Sequence, residues 1–276
     1  MMDSLFVVDE TLCRKDGICA KVCPVRIIKA RPGELPVMDE GMAKRCLACG
    51  QCMAFCPTEA CVAPGLRGDD RRLLRPERIP SPDQVEELVF SRRTVRNFKE
   101  KAVPKETLVR ILDAVRFAPT GHNRQSYRWI VLEDREKTVA FLEKMIDWLR
   151  GLPQTDPDLA KITHAEGVTR AWDKGVDILT RNAPQIAITV GPDKEFDYID
   201  GLVGLTYFEV LAHAHGLGCC WSGYMTRAFT HPAAKAVRDH LGVEPGDRAY
   251  SAQIVGYPKY RTISRPPRKP LRLTWK

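Results

Sequence analysis

Residues 46–57 read Cys46-Leu-Ala-Cys49-Gly-Gln-Cys52-Met-Ala-Phe-Cys56-Pro57, and this stretch decides the fold of the first part of the chain. Its spacing is C-x2-C-x2-C-x3-C-P. The short intervals let three thiolates converge on one bound group, and the proline turns the chain away. Thiolate is a soft ligand that suits iron–sulfur clusters and zinc. The spacing predicts a [4Fe–4S] cluster, with structural zinc as the alternative.

An earlier cysteine run repeats this pattern with one change. Residues 13–24 read Cys13-Arg-Lys-Asp16-Gly-Ile-Cys19-Ala-Lys-Val-Cys23-Pro24, so Asp16 stands where the second cysteine would be. The pair of runs resembles the two-cluster bacterial ferredoxins, in which the fourth cysteine of each run binds the other cluster. The resemblance implies one cluster on Cys46, Cys49, Cys52 and Cys23, and a second on Cys13, Cys19 and Cys56 with Asp16 as its fourth ligand.

The role of Asp16 has two interpretations. A carboxylate is a harder ligand than a thiolate, so ligation by Asp16 predicts a cluster with one labile iron or one that converts to [3Fe–4S]. Alternatively, Asp16 faces solvent in an Asp-Gly turn and the second site is degenerate or empty. Cys61 lies outside both runs, and we expect it to be a small core residue.

Composition divides the chain into three parts. Residues 1–63 form the predicted ferredoxin-like iron–sulfur domain, in which strands at 5–8, 27–28 and 37–38 flank the cysteines. A module this small has little apolar core, so bound clusters would stabilise it. Residues 64–82 are rich in proline and charge, which is typical of a linker. Residues 83–276 alternate helix and strand patterns, which predicts a layered α+β domain.

Helix signals in the third part are specific. Ser81 and Gln84 form a predicted capping box before an apolar stripe of Val85, Leu88 and Val89. A second helix is predicted after Pro104 by apolar residues at helical spacing. Buried strands are predicted at 185–190 and 251–256. Residues 199–215 are apolar nearly all round, and their two glycines predict a central helix packed closely on its neighbours.

Four segments of the third part resemble signatures of the FMN-dependent nitroreductase family. They occur in the family's order and are Ser91-Arg-Arg-Thr-Val-Arg-Asn-Phe98, Ala118-Pro-Thr-Gly-His-Asn-Arg-Gln-Ser-Tyr-Arg-Trp129, Gly216-Leu-Gly-Cys-Cys-Trp-Ser-Gly223, and Gly256-Tyr-Pro258 with Arg265-Pro-Pro-Arg-Lys-Pro270. The resemblance implies a nitroreductase-like flavin domain. One departure is Ser126, where the family usually has proline.

The resemblance also implies roles for individual residues toward FMN. The residues it assigns to the phosphate and ribityl chain are Arg92, Thr94, Arg96, Arg265 and Arg268. Those it assigns to the pyrimidine edge of the ring are Arg93, Asn123 and Gln125. The main chain at Ser222 and Gly223 would approach the N5 side. His122 is a candidate proton donor, with a plain loop histidine as the alternative.

The order of the two domains predicts an oxidoreductase that passes electrons from iron–sulfur clusters to FMN and on to an organic acceptor. The expected acceptors are nitroaromatics, quinones or activated alkenes, and the expected donor is reduced ferredoxin. One alternative is a direct NAD(P)H-dependent nitroreductase with auxiliary clusters. Another is a non-enzymatic electron carrier or redox sensor. The resemblance implies a homodimer with FMN at the subunit interface.

The charge distribution and the hydropathy pattern argue against a nucleic-acid-binding protein and against a membrane protein. The chain has 276 residues and a formal net charge of +8, yet residues 1–66 hold eight basic and eight acidic side chains. The excess lies beyond them, with seven basic and no acidic residues at 257–276. No nucleic-acid recognition motif accompanies it. The sequence has no apolar run long enough for a membrane helix and no signal-peptide pattern, so we expect a cytoplasmic protein.

Overall fold

The computed structural model describes residues 6–276, which form two compact units. One consists of residues up to Ile79 together with His122–Arg124, and the other of Pro80–Gly121 and Gln125–Lys276. The division after Ile79 falls inside the segment predicted as a linker. The domain boundaries at 63 and 83 stay predictions.

The first unit is built from short elements around the two cysteine runs. Its elements are strands β1 (Val7–Val8), β2 (Ile28–Lys29), β3 (Val37–Met38) and β4 (Cys61–Val62), helices α1 (Ile18–Lys21) and α2 (Gln51–Ala54), and 3-10 turns at Glu40–Arg45, Gly68–Asp70 and Pro76–Arg78. Strand β1 pairs with β4, and β2 with β3, both antiparallel. The predicted flanking strands are therefore confirmed, except that Leu5 lies outside the described residues.

The backbone of this unit repeats itself with the offset between the two cysteine runs. Lys15 and Ala48 both have left-handed backbone, with φ of 59° and 45°. Gly17 and Gly50 both have φ of 69° and directly precede α1 and α2. Glycine adopts this conformation without steric cost, so each glycine lets its loop turn sharply into a helix. The sequence repeat is a structural repeat.

The buried core of the first unit is small. Its fully buried members among the described residues are Cys19, Ile27, Ile28, Cys52, Met53, Cys61 and Ala63. Three of these are cysteines, so the apolar core alone offers little burial for a unit of this length.

The second unit is a four-stranded sheet with helices on both faces. Its strands are β5 (Arg128–Leu132), β6 (Gln185–Pro192), β7 (Gly218–Trp221) and β8 (Asp247–Gly256). Its helices are α3 (Pro82–Ser91), α4 (Lys105–Val115), α5 (Arg135–Thr155), α6 (Pro157–Thr163), α7 (Ala165–Asp173), α8 (Glu195–Ala214), α9 (Gly223–Thr230) and α10 (Lys235–His240). The strand order is β5-β6-β8-β7, and neighbouring strands are antiparallel.

The two faces of the sheet form two cores. Side chains alternate across a strand, so Ile186 and Ile188 of β6 join the core that contains Phe141 of α5. Ala187 between them joins the opposite core, together with Phe208 of α8. This arrangement confirms the predicted layered α+β domain.

Helix α8 packs closely against the sheet, as predicted. A Cβ atom built on Gly201 would lie 2.3 Å from Cδ2 of Tyr250. One on Gly204 would lie 2.5 Å from the hydroxyl of Tyr127. A side chain at either position would therefore clash with the neighbouring tyrosine ring.

Helix α3 begins as predicted but does not bury its apolar stripe. The Gln84 amide donates to Ser81 Oγ at 3.3 Å, and the Ser81 amide donates to Gln84 Oε1 at 2.9 Å, which completes the capping box. Val85 is 44% exposed and Val89 is 52% exposed, so the stripe faces away from the core of this chain. No helix within residues 6–276 is long and apolar enough to cross a membrane.

Candidate functional site

The first unit contains a cavity walled by the cysteines predicted for one cluster. Cys46, Cys49 and Cys52 line it together with Cys23 from the earlier run. Most of the remaining wall is apolar and includes Ile28. The structure therefore groups these side chains in the crosswise manner that the ferredoxin resemblance implies, while ligation itself stays a prediction.

A second cavity gathers the other predicted set and one further cysteine. Cys13, Asp16, Cys19 and Cys56 line it, and so does Cys61, which the sequence predicts to be a core residue. Cys61 is indeed buried, with 2% of its surface exposed. Its Sγ donates to the carbonyl oxygen of Cys52 at 3.2 Å.

Asp16 is engaged with the backbone beside this cavity. Its side chain is exposed, and Oδ1 accepts a hydrogen bond from the Ile18 amide at 3.0 Å. This is the geometry of a turn that leads into α1. Ligation of iron by Asp16 stays a prediction.

The thiols that line the two cavities differ in acidity. Burial raises the pKa of Cys19 to about 11. A hydrogen bond from Cys61 lowers the pKa of Cys52 to about 7, and the same contact together with burial raises that of Cys61. Within residues 6–276 no three His, Cys, Asp or Glu side chains meet the geometry of a single-ion site.

In the second unit, three of the four flavin-type segments meet at one edge of the sheet. The Val95 amide donates to the Cys219 carbonyl of edge strand β7 at 2.9 Å. Further along, the Lys99 amide donates to the Tyr257 carbonyl at 2.8 Å, and the Lys259 amide donates to the Asn97 carbonyl at 2.9 Å. The first segment thus continues the sheet beyond β7, which brings its arginines next to the other two segments.

Arg92 is held in place by a carboxylate from α8. Its Nη1 lies 2.6 Å from Oε1 of Glu209, and both side chains are more than two-thirds buried. Gln253 of β8 donates to the other Glu209 oxygen at 3.1 Å. Of the neighbouring predicted residues, Arg93 is half-buried and Thr94 is exposed. Glu209 therefore orients the arginine that the resemblance assigns to phosphate.

A cavity of about 300 Å³ lies beside this edge and is lined by Arg96, Ser222 and Gly223 of the predicted set. Ser222 Oγ caps α9 by accepting from the Met225 amide at 3.3 Å. Gly223 opens the helix, whose first amide groups have no partner within the helix. The cavity is therefore suited to a group that carries negative charge.

Two further arginines of this cavity were not predicted. Arg181 precedes β6 in left-handed backbone with φ of 57°, and Arg227 lies one turn along α9, where its Nη1 donates to the Gly223 carbonyl at 3.1 Å. In the sequence, the one signal for Arg227 is its position four residues after Gly223, which places the two residues on the same face of a helix. Burial raises the pKa of the Cys220 thiol in the same wall, and Arg96 works against that rise.

The remaining flavin-type segment, residues 118–129, contains a strained loop. His122, Asn123 and Gln125 all have positive φ, at 54°, 53° and 47°. The Gly121 amide donates to the buried Asp200 carboxylate at 3.0 Å, which fixes the start of the loop. Left-handed backbone at three non-glycine residues costs energy, and such strain clusters at functional sites.

The predicted residues of this loop have their own partners. Within the first unit, Asn123 Nδ2 donates to the carbonyl oxygen of Ala48 at 2.9 Å. The Gln125 amide donates to Thr120 Oγ1 at 3.2 Å, and His122 is exposed. The roles of Asn123 and Gln125 toward a flavin, and that of His122 as a proton donor, stay predictions.

The C-terminal arginines do not line the cavity that Arg96 lines. The guanidinium of Arg265 lies over the Phe90 ring of α3, 3.5 Å from its centre. Arg268 is exposed in the tail that follows β8. Their predicted contact with phosphate stays a prediction.

Two cysteine cavities in one unit and an arginine-lined edge in a layered α+β unit are the features expected of an iron–sulfur redox protein. The model of the nitroreductase family matches residues 89–257, more than half of the chain, and that of the 4Fe-4S dicluster domain matches residues 5–57. The chain belongs to the nitroreductase family and is an oxidoreductase with a 4Fe–4S domain at its N-terminal side.

Individual relatives are distant. A provisionally named NADH dehydrogenase/NAD(P)H nitroreductase of Archaeoglobus fulgidus is 24% identical over 62% of this chain and 84% of its own length. A Bacteroides fragilis nitroreductase with bound FMN has a TM-score of 0.53 at 19% identity, covering 68% of this chain and 99% of its own. A Desulfitobacterium hafniense nitroreductase with bound FMN also has a TM-score of 0.53, at 21% identity, covering 70% of this chain and 97% of its own. The two structures share the fold of the second unit.

Proposed function

We propose that the protein binds FMN in its second unit and two iron–sulfur clusters in its first. It passes electrons from the clusters to FMN and on to an organic acceptor such as a nitroaromatic, a quinone or an activated alkene. The observation that carries the proposal is the convergence of three flavin-type segments on the β7 edge, beside a cavity with three arginines.

The residues at this edge fit a phosphorylated flavin. FMN, when bound, accepts electrons singly or in pairs and transfers them to the acceptor. Arg92, oriented by Glu209, supplies a forked donor for phosphate, and Thr94 supplies a hydroxyl beside it. Arg96 and Arg181 place positive charge in the cavity, where it would favour the anionic phosphate of FMN. The main chain at Gly223 provides amide donors at the opening of α9.

The cysteine cavities fit two clusters. Four thiolates and a mostly apolar wall suit a [4Fe–4S] cluster in the first cavity. Cys13, Cys19 and Cys56 supply three thiolates to the second cavity. The clusters carry single electrons, so they fit a donor of the reduced ferredoxin type.

Thiolates and clusters of this kind persist in a reducing compartment, which favours the cytoplasm.

The protein acts as a homodimer in this proposal. The capped helix α3 exposes Val85 and Val89, and the tail exposes Ile263 and Trp275, which are 95% and 87% accessible in the single chain. Exposed apolar side chains in such number are typical of an interaction surface. A second copy of the chain is the partner that the family resemblance favours.

Anaerobic reconstitution followed by flavin and iron analysis tests the cofactor assignment. We expect one FMN per chain and two clusters, and an Arg96→Ala variant should bind FMN more weakly than wild type. Arg110→Ala, an exposed arginine on α4, is the matched control and should bind FMN normally. Absence of FMN from the wild type after reconstitution would contradict the proposal.

Rapid mixing separates the two electron donors. With reduced ferredoxin, we expect cluster reduction before flavin bleaching, followed by turnover with a quinone or nitroaromatic. Fast flavin bleaching by NADPH without cluster reduction would favour the direct NAD(P)H-dependent alternative. Reducible cofactors without turnover of any acceptor would favour an electron carrier or redox sensor.

A further inference from the structure

The second cysteine cavity contains a thiol that neither cysteine run accounts for. Cys61 lines it together with Cys13, Cys19 and Cys56, and only 2% of its surface is exposed. Its backbone lies in strand β4, where it pairs with Val8 of β1. The side chain is therefore held at the wall of the cavity by the sheet.

The internal repeat shows what is unusual about this position. In the repeat, the counterpart of Cys61 is Ile28, a buried apolar side chain that lines the first cavity. The counterpart of Asp16 is Cys49. Compared with the first cavity, the second has a carboxylate, Asp16, in place of one thiol and a thiol, Cys61, in place of an apolar side chain. Each cavity consequently has four cysteines.

Two side chains could supply the fourth ligand, and they differ in chemistry, in exposure and in the hydrogen bonds that they make. Asp16 is exposed and its Oδ1 holds the Ile18 amide at the start of α1. Cys61 is buried, and its thiol donates to the backbone carbonyl of Cys52 at 3.2 Å. Iron in a sulfide cluster prefers the softer thiolate to the harder carboxylate.

We propose that Cys61 is the fourth protein ligand of the second cluster. Asp16 then keeps its place as the cap of the turn into α1. On ligation the Cys61 thiol gives its proton to solvent and its sulfur bonds to the fourth iron, which replaces the hydrogen bond to the Cys52 carbonyl. No electron is transferred in this step. The proposal rests on the proposed function in one respect, that the second cavity holds a cluster.

Mössbauer and EPR spectroscopy of the full chain, reconstituted anaerobically, test the proposal. We expect Cys61→Ala to lose one iron per chain and to show the narrow signal of an oxidised three-iron cluster, with the first cluster and FMN content unchanged. Asp16→Ala should keep the wild-type spectrum. Ile28→Val, at the equivalent wall position of the first cavity, controls for the loss of wall volume and should keep both four-iron clusters.

Other outcomes overturn the proposal. It is wrong if Asp16→Ala gives the three-iron signal while Cys61→Ala does not, if both variants keep four irons, or if the wild type already holds a three-iron cluster. A wild type with only one cluster overturns the proposed cluster count as well, so the two failures are distinguishable.

A serine variant covers the case in which Cys61→Ala fails to assemble clusters. Cys61→Ser keeps the size of the side chain and offers a harder oxygen ligand, so we expect four irons with a lower midpoint potential of the second cluster. An unchanged potential in this variant overturns the proposal.

Discussion

Gly201→Ala is expected to destabilise the second unit, although alanine is the better helix former. Gly201 lies inside α8, where alanine would gain about 1 kcal/mol from helix propensity. Its Cβ, however, would lie 2.3 Å from Cδ2 and 2.9 Å from Cε2 of Tyr250. The Tyr250 ring is fully buried, and its hydroxyl donates to the Pro192 carbonyl at 2.7 Å. The ring cannot withdraw without losing that hydrogen bond.

The magnitude follows from these opposing contributions. Overpacking of a buried site costs about 1–3 kcal/mol, and a lost hydrogen bond costs about 1 kcal/mol more. After subtraction of the propensity gain, the free energy of unfolding should fall by about 1–3 kcal/mol. In a domain of this size each kcal/mol lowers the melting temperature by about 2–4 °C. Far-UV circular dichroism of the reconstituted protein measures the shift.

Gly167→Ala is the matched control. Gly167 lies inside α7 and is exposed, and a Cβ atom added to it would meet no other atom within 4 Å. We expect this variant to be stabilised by about 0.5–1 kcal/mol. A melting temperature of Gly201→Ala equal to or above that of the wild type would refute the reasoning.

Three further predictions concern helix ends and charge. Glu209→Gln should weaken FMN binding and lower the free energy of unfolding, measured by urea titration, by about 1–3 kcal/mol, because Arg92 loses its charged partner. The control is Asp113→Asn in an exposed ion pair, which should lower the free energy of unfolding by less than about 1 kcal/mol. Burial, reinforced by Arg92, lowers the pKa of His213 below its usual 6.5, so the unfolded chain takes up a proton at higher pH than the folded one. Stability should therefore fall as the pH drops through about 6.5, and a His213→Gln variant that shows the same fall contradicts the assignment. Ser81→Ala should cost about 1 kcal/mol of α3 stability, and hydrogen exchange that is unchanged there would count against the cap.

Local signals with fixed spacing could be predicted from the sequence. The spacing of the cysteine runs indicated that their side chains would gather, and the ferredoxin resemblance indicated which cysteines would line each of the two cavities. The capping box at Ser81 and Gln84 marked the start of α3. The glycines of α8 indicated a close approach, and the rings of Tyr250 and Tyr127 occupy the space beside them.

Features that depend on distant partners could not be predicted. Strand β7 is only four residues long, and it pairs with β8 on one side and forms a bridge with Thr94 on the other. Arg181 reaches the cavity through a loop conformation that no short pattern encodes. The stripe of Val85 and Val89 has helical spacing, but spacing does not say which surface will cover it.

The crosswise sharing of cysteines has a consequence for how such a module can change over generations. Cys23 belongs by sequence to the earlier run and by position to the first cavity, and Cys56 belongs by sequence to the later run and by position to the second. Losing either run from the gene would therefore remove a side chain from both cavities. The two runs therefore depend on each other, because neither run alone supplies a complete set of cysteines to either cavity.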